Sequence, residues 1–254
     1  MQKNNFFILG FALIFSVSYL TGCGQRTEEK ARTDRSHHQH NVLTVEERSQ
    51  GWKLLFDGRT LNGWRGFQKD DVTVNEKWYA HQGALVSSGT GGDTSGDIVT
   101  REQFENFIFK TEWMISEGGK SGIFYMVAEN GYPAVYATGP KYQILDDLGY
   151  PETLEDWHYT AANYGMHAPA DAPVKPAGEW NSTKIVVDNG HVEHWLNDEK
   201  VVEYQLWSEE WEELVSSGKW ADYPGYGRYS KGHIAVQDHG FPVRFRNMKI
   251  RELN

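Results

Sequence analysis

Two short stretches carry side chains able to do acid, base and hydrogen-bond chemistry at strand-like spacing. In Lys141-Tyr142-Gln143-Ile144-Leu145-Asp146-Asp147, alternation sets Lys141 and Gln143 on one face and Tyr142 and Ile144 on the other. The apolar pair belongs to a core, so the ammonium and the carboxamide face outward or into a cleft. In the stretch from His233 to Gly240, the same parity sets His233, Ala235, Gln237 and His239 opposite Ile234 and Val236. By residue type, Asp146 or His239 can serve as a base, Lys141 can steady developing negative charge, and Gln143 and Gln237 can hold hydroxyl groups. A strand-end Asp146 or Asp147 equally suits a turn cap, and His239 before Gly240 equally suits a turn. Trp180, Trp195 and Tyr125 offer flat apolar faces bounded by polar edges on which a ring could stack, although most of the ten tryptophans belong in a core. Asp97, Glu129 and Arg244 also bear charge, but no pattern places them.

These groups need a scaffold, and the chain spells out a β one. Phe107, Phe109, Thr111, Trp113 and Ile115 alternate with Lys110 and Glu112, which predicts a strand with one face in the core. Asp188-Asn189-Gly190 between two alternating runs predicts a tight hairpin, since Asn-Gly supplies the positive φ that such a turn demands. Thr44-Val45-Glu46-Glu47 has capping-box spacing, and Ser208 followed by Glu209, Glu210 and Glu212 begins a second short helix. Many short strands, few helices and 26 glycines predict an all-β fold, an antiparallel β-sandwich with one or two short helices.

The charge balance narrows the partners. Lys plus Arg number 25 against 35 Asp plus Glu, so the surface is not built to neutralise phosphates and nucleic acid is set aside. Cys23 is the only cysteine and cannot form an internal disulfide. It follows Lys3, an apolar run from Phe6 to Leu20 and the small residues Thr21-Gly22, a pattern that resembles a bacterial lipoprotein signal. The expectation is a signal peptide at 1–22, lipidation at Cys23, a polar tether at 23–41 and one domain at 42–254. A lipid anchor would hold the domain at the membrane of the cell envelope, facing the periplasm or cell surface. His37, His38 and His40 lie in the tether and read as solvated, so no metal site is expected.

Six segments in order carry a family resemblance: GWKLLFDGRTLNGW (51–64), GKSGIFY (119–125), ATGPKYQILDD (137–147), GEWNSTKIVV (178–187), EHWLND (193–198), and GHIAVQDHG with FRNMKIREL (232–253). Together they resemble the 3-keto-disaccharide hydrolase domain family across roughly residues 50–253. The resemblance implies a concanavalin-like jelly roll, a carbohydrate substrate and cleavage of glycosides already oxidised at C3. It directs attention to the QILD and QDHG stretches as cleft-lining, with Asp146, His239, Lys141 and Gln143 as catalytic candidates. Lys120, Tyr125, Trp180, Asn181, Gln237 and Asp238 are then the sugar-binding candidates.

A C3 ketone acidifies the C2 proton. A base can remove that proton, an enolate forms, the C1 substituent leaves by β-elimination, and water adds back at C1. No organic cofactor is required once the ketone exists. Two positions depart from the family pattern: Lys141 stands where Glu is usual, and Lys120 where Asn is usual. Both add positive charge, which would either tune the site to an anionic substrate or mark a protein that binds without turnover. An ordinary jelly-roll glycoside hydrolase would instead need paired carboxylates on neighbouring strands, and no E-x-D-x-E-like run exists.

Overall fold

In the computed structural model, which describes residues 40–70, 77–90, 96–129, 131–171 and 173–253, the predicted alternation resolves into two antiparallel sheets. The first holds β1 (Lys53–Leu54), β3 (Trp78–His81), β4 (Ala84–Ser87), β6 (Phe107–Ile115), β9 (Asn181–Asp188), β10 (His191–Leu196), β11 (Glu199–Gln205) and β13 (Val243–Glu252). Its order is β11-β10-β9-β6-β13-β4-β3, with β1 also paired to β13. The second holds β2 (Trp64–Gly66), β5 (Ile98–Thr100), β7 (Lys120–Val127), β8 (Lys141–Leu145) and β12 (His233–Val236), in the order β2-β5-β12-β7-β8. The fold is therefore the expected all-β sandwich. The signal-like residues, Cys23, His37, His38 and the tether up to residue 39 lie outside the described residues.

Burial follows parity in β6, where every second residue is inside, and in β9 and β10 likewise. Phe109, Trp113 and Ile185 from the large sheet and Ile123, Tyr142, Ile144, Ile234 and Val236 from the small one join a single core. Water exclusion from these inner faces, roughly 1.5–3 kcal/mol for each large side chain, is what holds the sheets together. The core also contains polar atoms that must be paired. The Tyr125 hydroxyl contacts His194 Nε2 at 2.8 Å and the Tyr204 hydroxyl, while His194 Nδ1 lies 2.8 Å from the Ala161 carbonyl. Burial pushes the His194 imidazole down to about 3, so it is neutral in the folded protein.

Both predicted helices are present: α1 (Val45–Ser49) with its capping box, and α2 (Glu209–Ser217) with the Ser208 hydroxyl accepting from the Trp211 N–H. Asn41, read from sequence as the end of the tether, is instead locked into the domain. Its N–H donates to Asn247 Oδ1, the Asn247 N–H donates to its Oδ1, and its amide donates to the Gly83 carbonyl. A polar residue can be buried there because each of those groups is satisfied.

The β9–β10 hairpin turns through Asn189 at φ 49° and Gly190 at φ 80°. A Cβ at Gly190 would lie 2.8 Å from Gln205 Nε2 and 2.9 Å from the Trp207 ring. Gly190→Val should therefore destabilise by about 1–3 kcal/mol, read as a lower denaturation midpoint at unchanged slope.

Candidate active site

The small sheet has a second face, turned away from the core. Strand pairing puts Phe124 opposite Lys141 and opposite Ala235, Gly122 opposite Gln143, and Val99 opposite Ala235 and Arg65. Opposed residues in an antiparallel pair share a face, so Lys141 and Gln143 lie together with Gln237, whose N–H donates to the Gly122 carbonyl at 3.0 Å. The sequence parity of both stretches thus holds, and the polar side is the outer face of the small sheet.

A cavity of about 270 Å³ opens on this face, lined by Lys120, Lys141, Gln237 and His239 and by the aromatic rings of Phe124, Tyr136, Tyr164, Trp220 and Tyr223, with Lys219 at its rim. Lys141 is almost fully buried, at 3% exposure. Its stem crosses the space above Gly122, where a Cβ would come within 2.1 Å of Lys141 Cε. Glycine at 122 is what lets the ammonium reach this point. The Lys141 ammonium then lies 5.0 Å from the Tyr164 ring centre and 5.6 Å from that of Phe124, within cation–π range.

The far wall comes from two irregular segments. After β8 the chain returns along that strand's free edge: the Ala161 N–H donates to the Gln143 carbonyl and the Tyr164 N–H to the Lys141 carbonyl. This pairing delivers the Tyr164 ring over the sheet. The segment after α2 supplies Lys219, Trp220 and Tyr223. A continuous stack anchors it, running from Trp220 to Tyr226, Trp211, Tyr204 and His167 with interplanar angles of 5–10°. Trp220 Nε1 also donates to the Tyr164 carbonyl at 3.2 Å, tying the two segments together.

The two carboxamides are poised differently from the acids. Gln143 Nε2 donates to the His158 carbonyl at 3.1 Å, yet its Oε1 has no hydrogen-bond partner, and neither has Oε1 of Gln237. Buried acceptors left open cost about 1–3 kcal/mol each unless a ligand or water fills them. Asp146 is not among the lining residues: its Oδ2 accepts from the Gly118 N–H at 2.8 Å, and Gly149 closes tightly over it. Asp147 Oδ1 accepts from the Thr160 N–H, and burial raises its carboxyl above the usual range. Both acids therefore hold turns at the end of β8. Asp238 is wholly buried, with Oδ1 accepting from the Gly240 N–H, and it shapes the turn that presents His239.

Other residues singled out from sequence lie away from the cavity. Tyr125 points into the core, where its hydroxyl is engaged by His194 and Tyr204. Trp180, just before β9, is covered by the Arg246 guanidinium at 3.9 Å, and Trp195, in β10 of the large sheet, by Lys184 at 3.2 Å. Asn181 is buried, with Oδ1 accepting from the Lys175 N–H and from Asn197 Nδ2. Of the charged residues left unplaced, Glu129 forms a bidentate pair with Arg65 that holds its carboxyl low despite burial.

Known proteins resemble this chain over most of its length. Residues 51–251 match the profile of the 3-keto-alpha-glucoside-1,2-lyase-like domain. The chain is 35% identical over 233 residues to a 3-keto-disaccharide hydrolase of Bacteroides thetaiotaomicron, covering 81% of this chain and 80% of that one. A crystal structure of a Parabacteroides distasonis protein, described as a candidate glycosyl hydrolase, superposes with a TM-score of 0.79 at 42% identity, covering 85% of this chain and all of that one. A second from the same organism, at 23% identity and TM-score 0.61, covers 80% of this chain and 99% of that one and shares the fold.

Proposed function

The chain belongs to the 3-keto-alpha-glucoside-1,2-lyase-like domain family and is a hydrolase, and from that premise we propose that it cleaves 3-keto glycosides by β-elimination followed by hydration. The observation that carries this reading is the convergence of Lys141, Gln237 and His239 on one cavity. An elimination through an enolate needs a base at C2, positive charge at the C3 oxygen and holders for the ring hydroxyls. His239 takes the C2 proton, and the electron pair moves onto the C3 oxygen, which the Lys141 ammonium stabilises. Collapse of the enolate expels the aglycone oxygen from C1, and the imidazolium formed at His239 is a donor for it. Water then adds at C1 of the enone, so the net change is hydrolysis.

Gln237, which lines the cavity with an open amide oxygen, accepts from a hydroxyl group of the sugar; Gln143 shares the face but is not among the lining residues. Among the described lining residues there is no carboxylate pair of the kind that flanks the bond in an ordinary glycosidase. The signal-like residues 1–22 and Cys23 support work at the cell envelope.

Side-by-side assays with a 3-keto disaccharide and its unoxidised parent test this reading. Release of the aglycone from the oxidised sugar only is expected. Equal cleavage of both would establish an ordinary glycosidase, and binding of the oxidised sugar without cleavage would establish a binding protein.

A further inference from the structure

The cavity is more basic than elimination chemistry requires. Three ammonium groups surround one ring: Lys219 lies 4.6 Å, Lys141 5.0 Å and Lys120 5.5 Å from the Tyr164 centre. Lys141 has a role in the reaction proposed above, but Lys120 and Lys219 have none there. Neither forms an ion pair among the described residues. Overall composition does not explain the cluster, because the chain carries a formal charge of −10. Like charges gathered in a partly enclosed cavity repel one another until an anion enters.

Both side chains are held in place. Lys219 lies over Tyr164 and Trp220, its Nζ donating to the Tyr164 hydroxyl at 3.3 Å, and Lys120 lies between Tyr150 and Tyr164. Fixing the charges in advance reduces what must be ordered when a ligand binds. His158, whose ring lies 5.6 Å from that of Tyr164, registers the same field: burial first, then the charges of Lys120 and Lys219, lower its imidazole below the ordinary value.

We propose that Lys120 and Lys219 form, against Tyr164, a subsite for an anionic group borne by the sugar substrate, so that the preferred substrates are acidic 3-keto glycosides carrying a carboxylate or a sulfate ester. This rests on the reading of the cavity as a site that cleaves 3-keto glycosides. Lys141 is buried at the reacting end while Lys219 is exposed at the rim, so the acidic group enters beside the rim and the ketone faces Lys141.

The test compares 3-keto disaccharides that differ only in the aglycone: glucose, glucuronate and glucose 6-sulfate. In low salt the acidic substrates should exceed the neutral one in kcat/KM by roughly tenfold, and the ratio should fall toward one at about 0.5 M NaCl. Lys120→Asn combined with Lys219→Gln should collapse the ratio, with the neutral substrate on the same preparation as internal control. A wild-type ratio at or below one, or a ratio that survives the double substitution, would overturn the proposal. So would inorganic sulfate or phosphate competing as strongly as the acidic disaccharide, which would assign the site to a free anion.

Calorimetry with the unoxidised acidic and neutral disaccharides separates this inference from the reaction itself. If no 3-keto glycoside is cleaved but the acidic sugar binds more tightly through Lys120 and Lys219, the reaction fails and the subsite stands. Equal binding of the two sugars would remove the subsite whatever the reaction.

Discussion

Replacing His239 with glutamine is expected to lower turnover of a 3-keto glycoside by roughly 10²-fold or more while ligand affinity changes far less. Glutamine keeps polar atoms at the position but cannot take up the C2 proton at neutral pH, so the loss belongs to the transition state. Steady-state kinetics give kcat, and calorimetry on the inactive variant gives affinity. Asp146→Asn is the informative partner, since Asp146 holds the Gly118 N–H at the end of β8 and is not among the residues lining the cavity. An asparagine oxygen can accept the same hydrogen bond, so Asp146→Asn should retain most of the turnover. A folded Asp146→Asn protein that loses turnover, beside an active His239→Gln protein, would transfer the role of base from His239 to Asp146.

The positions that sequence reading found and those it missed differ in how the backbone carries them. Lys141, Gln143 and Gln237 sit in or directly after strands, where period-two alternation fixes the face and Tyr142, Ile144, Ile234 and Val236 identify the buried side. That logic placed the floor of the site. It gave no warning of Tyr164, Lys219, Trp220 or Tyr223, which stand on segments without periodicity. Their location depends on long-range contacts: edge pairing with β8 for Tyr164, and stacking on Tyr226 and Trp211 for Trp220. The aromatic density of residues 218–229, with Trp220, Tyr223, Tyr226 and Tyr229 within twelve positions, was the one available signal.

Tyr125 shows the complementary difficulty. It lies in GIFYMV, a continuous apolar run in which alternation is silent, and Met126 at φ 55° marks an irregularity in the strand. Only the pairing of Phe124 with Lys141 and Ala235 reveals that Phe124 faces the cavity, which leaves Tyr125 to the core. Trp180 was drawn to the site by its motif, but it immediately precedes β9 in the large sheet, where Arg246 covers its ring.

The departure from the family pattern at Lys141 yields the second large effect. Lys141→Met keeps an unbranched stem in the channel above Gly122 but removes the charge, and turnover should fall by about 10²–10³-fold if the ammonium stabilises the enolate oxygen. Gly122→Ala tests placement rather than identity. Its Cβ would strike Lys141 Cε, the far end of a flexible side chain, so the fold should survive while the ammonium is displaced. A fall in kcat with little change in melting temperature is the expected result. Lys141→Glu restores the residue usual in the family and separates two accounts of the site. If Lys141 is the electrophile, the carboxylate repels the developing oxyanion, and activity drops at least as far as in Lys141→Met. If the protein is instead a binder that has lost its base, the wild type releases no aglycone and Lys141→Glu gains the reaction. The proposed mechanism requires the first pattern, since a base restored at 141 would mean that His239 never had that role.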